Sequence, residues 1–237
     1  MARWAAGRTA RRVVLTSRSG AGAAGVAGLA AELAASGTAV EVVACDIAQR
    51  PQVAALLTRV SGTGPALSSV IHAAGVGQGT ATAELTIAEH AAVSEVKTLG
   101  AVWLDELTAD LDLDAFALFS SVSATWGSGL QPSYAAANAA LDALAETRHA
   151  RGLVGTSVAW GLWAGAGMGA GDAGEQLQRY GLRLMDPELG IRALAQAIDG
   201  REVQVTVADV DWERFAPLFT LRRPARCWSC CRRPGRR

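Results

Sequence analysis

Three residues in the stretch from Phe119 to Asn138 have the types and spacing to complete a carbonyl reduction: Ser121, Tyr134 and Asn138. Tyr134 and Asn138 lie four apart in an Ala-rich run through Leu144, so in a helix both side chains share one face. Ser121 closes the apolar run AFALFSS, from whose end a hydroxyl can enter the same pocket. Upstream, Lys97 is the one lysine among 22 basic residues. A chain that otherwise chooses arginine has used a compact ammonium once, the cation that can give up a proton at accessible cost. Hydride addition to a carbonyl leaves a growing alkoxide that needs a proton, and a phenol near pKa 10 is a poor donor unless neighbours stabilise its anion. Lys97 could supply that stabilisation, and Ser121 could hold the carbonyl oxygen with a second hydrogen bond. Asn138 carries a donor and an acceptor, so it can order a water or Lys97 itself. Singly, Tyr134 also reads as an amphipathic helix residue and Ser121 as a turn residue; the grouping is what points to chemistry.

These groups need a scaffold, and 237 residues, half of them hydrophobic, can bury one substantial core. The formal charge of zero hides a split. The last sixteen residues, from Arg222, hold seven arginines and no acid, leaving 15 basic against 22 acidic residues before them. An acidic body gives no reason to expect nucleic-acid binding. No apolar run approaches eighteen residues and no signal-peptide core follows MARWAAGRTARR, so a soluble, cytoplasmic protein without membrane contact is expected. Four cysteines, one of them inside the apolar run at Cys45, do not make a disulfide framework.

Short β-branched runs alternate with longer Ala/Leu-rich segments. Strands are predicted at Arg11 to Ser17, Ala39 to Cys45, Ser68 to Ala73, Ala115 to Ser121, Gly155 to Trp160 and Val203 to Ala208. Helices are predicted at Gly25 to Ser36, Pro51 to Val60, Ile87 to Leu111, Tyr134 to Arg151 and Pro187 to Ile198. That alternation implies an α/β fold, a doubly wound parallel sheet covered on both faces. Ligands of such sheets collect at the carboxyl ends of the strands. Arg18, Asp46, the run Ala73-Ala74-Gly75, and Ser121 all fall there.

Each has a role if the ligand is a dinucleotide. Arg18 could pair with a 2′-phosphate, which favours NADPH over NADH. Asp46 could accept from an adenine amino group, and the small residues Ala73, Ala74 and Gly75 let backbone approach the nucleotide. Taken singly, Arg18 and Asp46 read as solvated loop charges; their recurrence at successive strand ends is the signal.

From about Arg3 to about Leu221 the chain resembles the ketoreductase domain of modular type I polyketide synthases, a branch of the short-chain dehydrogenase/reductase superfamily. The resemblance rests on LTSRSG, ACDIA, VIHAAGV, the EVK around Lys97, LFSS with Tyr134 thirteen residues after Ser121, YAAAN, SVAWGLWAGAGM and VADVDWERFAPLF. The wider superfamily usually has lysine four after its tyrosine; this branch resembles one with asparagine there and the lysine upstream, as in Asn138 and Lys97. The resemblance implies Tyr134 as proton donor, Ser121 as carbonyl holder, and Lys97 and Asn138 in support, with no metal. It implies a β-ketoacyl thioester on the phosphopantetheine arm of an acyl carrier protein as substrate, NADPH as cofactor, and other polyketide synthase domains as partners. The type B motif LDD is replaced by Gly77-Gln78-Gly79, while Trp126 matches the type A tryptophan eight residues before the tyrosine. Gln131 stands where some type A members have histidine. The pattern resembles the A1 subtype, which implies an L-configured alcohol with any 2-methyl group left unepimerised.

Two departures are expected to matter. The family's first strand and its TGGxGxxG turn, which cradles the pyrophosphate, have no counterpart; MARWAAGRTA matches the helix after that turn. The catalytic domain, residues 1–221, is therefore expected to be truncated at its N-terminus. In a 3-2-1-4-5-6 sheet the missing strand is central, so two inner edges are expected to lack a partner. Gly20, Gly22, Gly25 and Gly28 follow the second strand and do not replace the turn. The tail, residues 222–237, is expected to be disordered and, despite the CxxC of Cys227 and Cys230, to lack a structural zinc site, as at a truncated or frame-shifted end. The Gly/Ala-rich segment from Gly165 to Met185 resembles the family's lid over nicotinamide and substrate. Besides reduction, two other functions fit the residues: a non-catalytic remnant or interaction module unable to hold cofactor, and a free-standing reductase of small ketones.

Overall fold

A computed structural model of the chain describes residues 1–8, 10–165 and 172–220. The elements in order are α1 (Ala2–Gly7), β1 (Arg12–Ser17), α2 (Val26–Ala35), β2 (Ala39–Ala44), α3 (Arg50–Gly62), β3 (Ser69–His72), α4 (Ile87–Ser94) and α5 (Gly100–Leu107). They are followed by β4 (Ala115–Ser121), α6 (Val122–Trp126), α7 (Pro132–Ala150), β5 (Thr156–Trp160), α8 (Asp172–Arg179), β6 (Leu182–Arg183), α9 (Pro187–Asp199), β7 (Gln204–Val207), β8 (Asp209–Val210) and α10 (Trp212–Thr220). The chain divides into two compact units, Met1–Trp160 with Glu188–Val207, and Gly161–Pro187 with Ala208–Arg237.

The first unit is α/β with parallel strands, as the alternation predicts. β3, β4, β5 and β7 form one parallel sheet in that order, and β1 pairs with β2 in a second parallel sheet. Every residue of β5 is buried, as expected for an inner strand covered on both faces. Leu118 pairs with His72 on one side and Ser157 on the other, so the carboxyl ends of β3, β4 and β5 lie at one end. Among the described residues no ladder joins β1 to β3. In the doubly wound order, β2 and β1 take the third and second places, and the first place between β1 and β3 holds no described strand. Side-chain packing holds the two sheets instead: Val14 of β1 and Val43 of β2 pack on the cluster that contains Val70, Phe116 and Leu118.

α7 is the helix that matters for the site. Pro132 starts it where a missing N–H costs nothing, and its Ala-rich sequence favours helix throughout. It packs on β4 and β5 through a stripe containing Leu141 and Ala145, both fully buried. Burying Leu141 alone stabilises by about 1.5 to 3 kcal/mol. Arg148 continues the stripe as a buried cation, held by Asp105 and Val154 O and lying 3.8 Å over the Phe116 ring.

The second unit contains a short antiparallel ladder, β6 with β8, and a parallel bridge between Trp163 and Met185. Phe215 of α10 is its fully buried aromatic, stacked on Phe219 at 4.2 Å. Sequence periodicity missed α8, α10 and this ladder. Residues 166–171 of the expected lid segment, and the tail from Arg222 with its CxxC, lie outside the described residues. No described helix is long and apolar enough to cross a membrane.

Candidate active site

Lys97 owes its position to a break in helical register. The single helix predicted from Ile87 to Leu111 is instead α4, a five-residue π-helical turn at Glu95–Leu99, and α5. A π turn bonds i to i+5 and re-aims the residues beyond it, a device frequent at functional sites. Lys97, in that turn, is 2% exposed and its Nζ donates to the Phe119 carbonyl of β4 at 2.7 Å. Burial lowers its pKa from 10.5 to about 8, opposed by the negative charge of Asp142. At neutral pH the group is still mostly an ammonium. His72 braces the turn from below: its Nε2 donates to the Lys97 carbonyl at 3.0 Å, since a carbonyl can only accept. Burial pushes the His72 pKa down to about 4, so the ring is neutral.

Tyr134 and Asn138 occupy one face of α7, as their spacing predicts, and both are buried. Lys97 Nζ lies 5.5 Å from the centre of the Tyr134 ring, within cation–π range. Ser121 ends β4 and caps α6, accepting from Ser123 N at 3.2 Å through Oγ. That bond uses a lone pair and leaves the hydroxyl hydrogen to donate elsewhere. The expectation that Lys97 acidifies the phenol needs correction. Burial pushes the Tyr134 pKa above its ordinary value, and the side chains of Asn138 and then Ser121 pull it the other way; Lys97 is not among the causes. The ammonium is committed to Phe119 O and to the ring face, so the acidifying task in the resting chain falls to the two neutral side chains.

Asn138 is wholly buried and donates through Nδ2 to the Tyr134 carbonyl at 2.7 Å. Its Oδ1 has no hydrogen-bond partner, a state that costs about 1 to 3 kcal/mol for a buried acceptor. An ordered water or a ligand hydroxyl is the kind of partner that satisfies such an acceptor.

The predicted nucleotide contacts line the same end of the strands. Arg18 is the first residue beyond β1, exposed and without an ion pair or hydrogen bond among the described residues. Asp46, two residues beyond β2, is half engaged: its Oδ1 accepts from Ala48 N at 3.1 Å. Ala73, Ala74 and Gly75 follow β3 directly, and a Cβ on Gly75 would come within 3.3 Å of Lys97 Nζ. A larger residue there would press on the Lys97 ammonium. Gly20, at φ +50°, lies so close to Ala44 that a Cβ would fall 2.8 Å from its backbone nitrogen. Only a glycine fits at that approach to β2. The residues present thus fit a nicotinamide nucleotide at its ribose and nicotinamide end, where the orphaned Asn138 Oδ1 and the Lys97 ammonium lie. For the pyrophosphate no glycine-rich strand–helix turn exists among the described residues.

Trp126 is the last residue of α6 and half-buried, and Gln131 is the N-cap residue of α7. Both flank the loop that leads into Tyr134. The roles of three participants were missed in the sequence. Asp142, buried two turns beyond Tyr134, accepts from Ser157 Oγ at 2.6 Å, and helical spacing from Asn138 could have flagged it. His72 stood inside the HAAG run unremarked. Gln78, 56 residues from Tyr134, was read only as the position of the absent type B motif, and nothing local tied it to α7.

A model of the KR domain family matches residues 1–165. The chain belongs to the KR, or ketoreductase, domain family. It is 48% identical over 224 residues to the pikromycin polyketide synthase component PikAIII of Streptomyces venezuelae, covering 94% of this chain and 14% of that protein. It is 45% identical to the erythronolide synthase EryA3 of Saccharopolyspora erythraea over 94% of this chain and 7% of the other. A solved A1-type ketoreductase superposes with a TM-score of 0.91 at 47% identity, over 95% of this chain and 48% of that one. A solved structure of A-type ketoreductases from a modular polyketide synthase gives the same values. The chain thus spans about half the length of solved ketoreductases and a small part of the curated synthases. Ketoreductase domains are oxidoreductases that reduce a β-keto group with a nicotinamide cofactor.

Proposed function

We propose that this ketoreductase chain reduces a β-ketoacyl thioester, held on the phosphopantetheine arm of an acyl carrier protein, to the β-hydroxyacyl thioester. The observation that carries this reading is the gathering of Ser121, Tyr134, Asn138 and Lys97 at the carboxyl end of the four-stranded sheet. The cofactor is NADPH, selected over NADH by the uncommitted Arg18 guanidinium, with Asp46 toward the adenine and Ala73, Ala74 and Gly75 under the nucleotide. When bound, it supplies the hydride that adds to the ketone carbon.

The remaining work falls to this chain's side chains. Ser121 Oγ donates its free hydrogen to the ketone oxygen, and Tyr134 donates the proton that completes the alcohol. The phenolate left behind is held by the side chains of Asn138 and Ser121, while Lys97, bonded to Phe119 O and lying over the ring, keeps the end of β4 and the Tyr134 ring in register. Asn138 Oδ1 orders a water through which the phenol regains its proton. Net, one ketone, one hydride and one proton give one alcohol. Trp126 and Gln131, at the loop before Tyr134, orient the chain of the substrate for A1-type delivery, giving the L-alcohol without epimerisation at C2. The working partners are the acyl carrier protein and neighbouring synthase domains in the cytoplasm, with residues 1–221 as the catalytic domain.

A second reading is a non-catalytic remnant or interaction module that does not hold the nucleotide. Fluorescence titration with NADPH separates the two, saturable binding supporting the reductase. The decisive assay converts a model β-keto thioester and resolves the product on a chiral column. The L-alcohol is expected, and Tyr134→Phe should lower kcat by about 10²- to 10⁴-fold with NADPH affinity retained. A D-alcohol overturns the stereochemical reading, and an unaffected Tyr134→Phe overturns the mechanism.

A further inference from the structure

The first turn of α7 carries Tyr134, yet its own N-cap residue leaves that turn uncapped. A helix N-terminus presents N–H groups with no intrahelical acceptor, and an N-cap side chain normally accepts from the second or third of them. Here Gln131 stands at the N-cap and makes no such bond. Pro132 has no N–H. Ser133 N and Tyr134 N both donate to Gln78 Oε1, at 2.9 and 3.2 Å. Ala135 N returns to the Gln131 carbonyl at 2.8 Å, which completes the accounting.

Gln78 thus caps the helix from 55 residues away, and the rest of its polar atoms are tied to the same place. Its Nε2 lies 3.3 Å from Ser133 Oγ and 3.4 Å from Glu89 Oε1, and its backbone carbonyl accepts from Gln131 Nε2 at 3.3 Å. Ser133 is 1% exposed and its Oγ also meets His90 Nδ1 at 3.1 Å. Three residues before Gln78, Gly75 lies against Lys97 Nζ. The loop after β3 therefore touches both the ammonium and the turn that carries the phenol.

We propose that Gln78 is a positioning residue for the reduction: its Oε1 fixes the first turn of α7 and, through it, the Tyr134 hydroxyl relative to Ser121. This rests on the reductase reading given above. Gln78 touches no reacting atom and acts through the helix turn that carries Tyr134. It joins the small-residue loop assigned to the nucleotide with the proton donor, so that a displacement of one moves the other.

Two variants test it. Gln78→Met keeps the length and removes the amide acceptor. The exchange Gln78→Glu with Glu89→Gln keeps an acceptor oxygen at the helix N-terminus and restores a donor opposite it. Residue-resolved amide hydrogen exchange of the full chain should show at least a tenfold loss of protection at Ser133 and Tyr134 in Gln78→Met, with the second half of α7 unchanged. The exchange variant should stay within threefold of wild type. In steady-state assays with a model β-keto thioester, Gln78→Met should lower kcat tenfold or more with KM changed less than twofold, and the exchange variant should recover it. Unchanged protection in Gln78→Met overturns the cap; lost protection with unchanged kcat overturns the positioning role. A wild-type chain without turnover overturns the reductase reading, and the hydrogen-exchange arm still decides the cap.

Discussion

Lys97 is expected to weaken the fold that holds it. Its pKa falls from 10.5 to about 8 because burial disfavours the charged form, about 2.5 pH units at about 1.4 kcal/mol each, or roughly 3 kcal/mol. Between pH 8 and 10.5 the unfolded chain binds the lysine proton and the folded chain does not, so stability rises with pH across that window. Below pH 8 both states are protonated and the folded state carries the full desolvation cost. Replacing Lys97 by Met removes that cost and fills similar space, but leaves the Phe119 carbonyl without its donor, a loss of about 1 to 2 kcal/mol. Lys97→Met should therefore be more stable than wild type by about 1 to 2 kcal/mol at pH 7, while losing reductase turnover. Urea unfolding of both proteins at steps from pH 7 to 10.5 measures the difference, and subtraction cancels Tyr134 and every other shared group. The advantage of Lys97→Met should shrink through pH 8 to 10 and reverse near 10.5, where only the missing hydrogen bond remains. A difference that stays flat across the range would refute the claim that a desolvated ammonium is maintained there.

The other expectations concern cofactor choice and the core. Arg18→Ala should raise KM for NADPH by about 10- to 100-fold, the worth of a charge-assisted bond, and leave KM for NADH unchanged. Equal effects on both cofactors would remove Arg18 from the 2′-phosphate. Asp105→Ala should destabilise by about 3 to 5 kcal/mol in urea, because it strips the buried Arg148 guanidinium of its carboxylate. A loss below about 1 kcal/mol would show that Val154 O and the Phe116 ring suffice.

Features with a short period along the chain were legible in the residues alone. The strand AFALFSS is observed from end to end as β4, and the other predicted strands of the parallel sheets shift by at most a residue at either end, because apolar runs this short, bounded by turn residues, fit a strand better than a helix. Tyr134 and Asn138 share a face because helical geometry puts residues four apart together, and Ser121 joins them because a strand end is fixed by its run. Features that depend on neighbours distant along the chain had to wait for the folded arrangement. The π turn at Glu95–Leu99 interrupts hydrogen-bond register without interrupting the apolar pattern, so periodicity reads one helix through it. The depressed Lys97 pKa, the neutral His72 and the raised Tyr134 pKa arise from water excluded by packing, which residue identity does not encode. The capping role of Gln78 became visible only when the fold laid the loop after β3 across the start of α7, because a cap is a matter of where an oxygen sits and not of which residue precedes the helix.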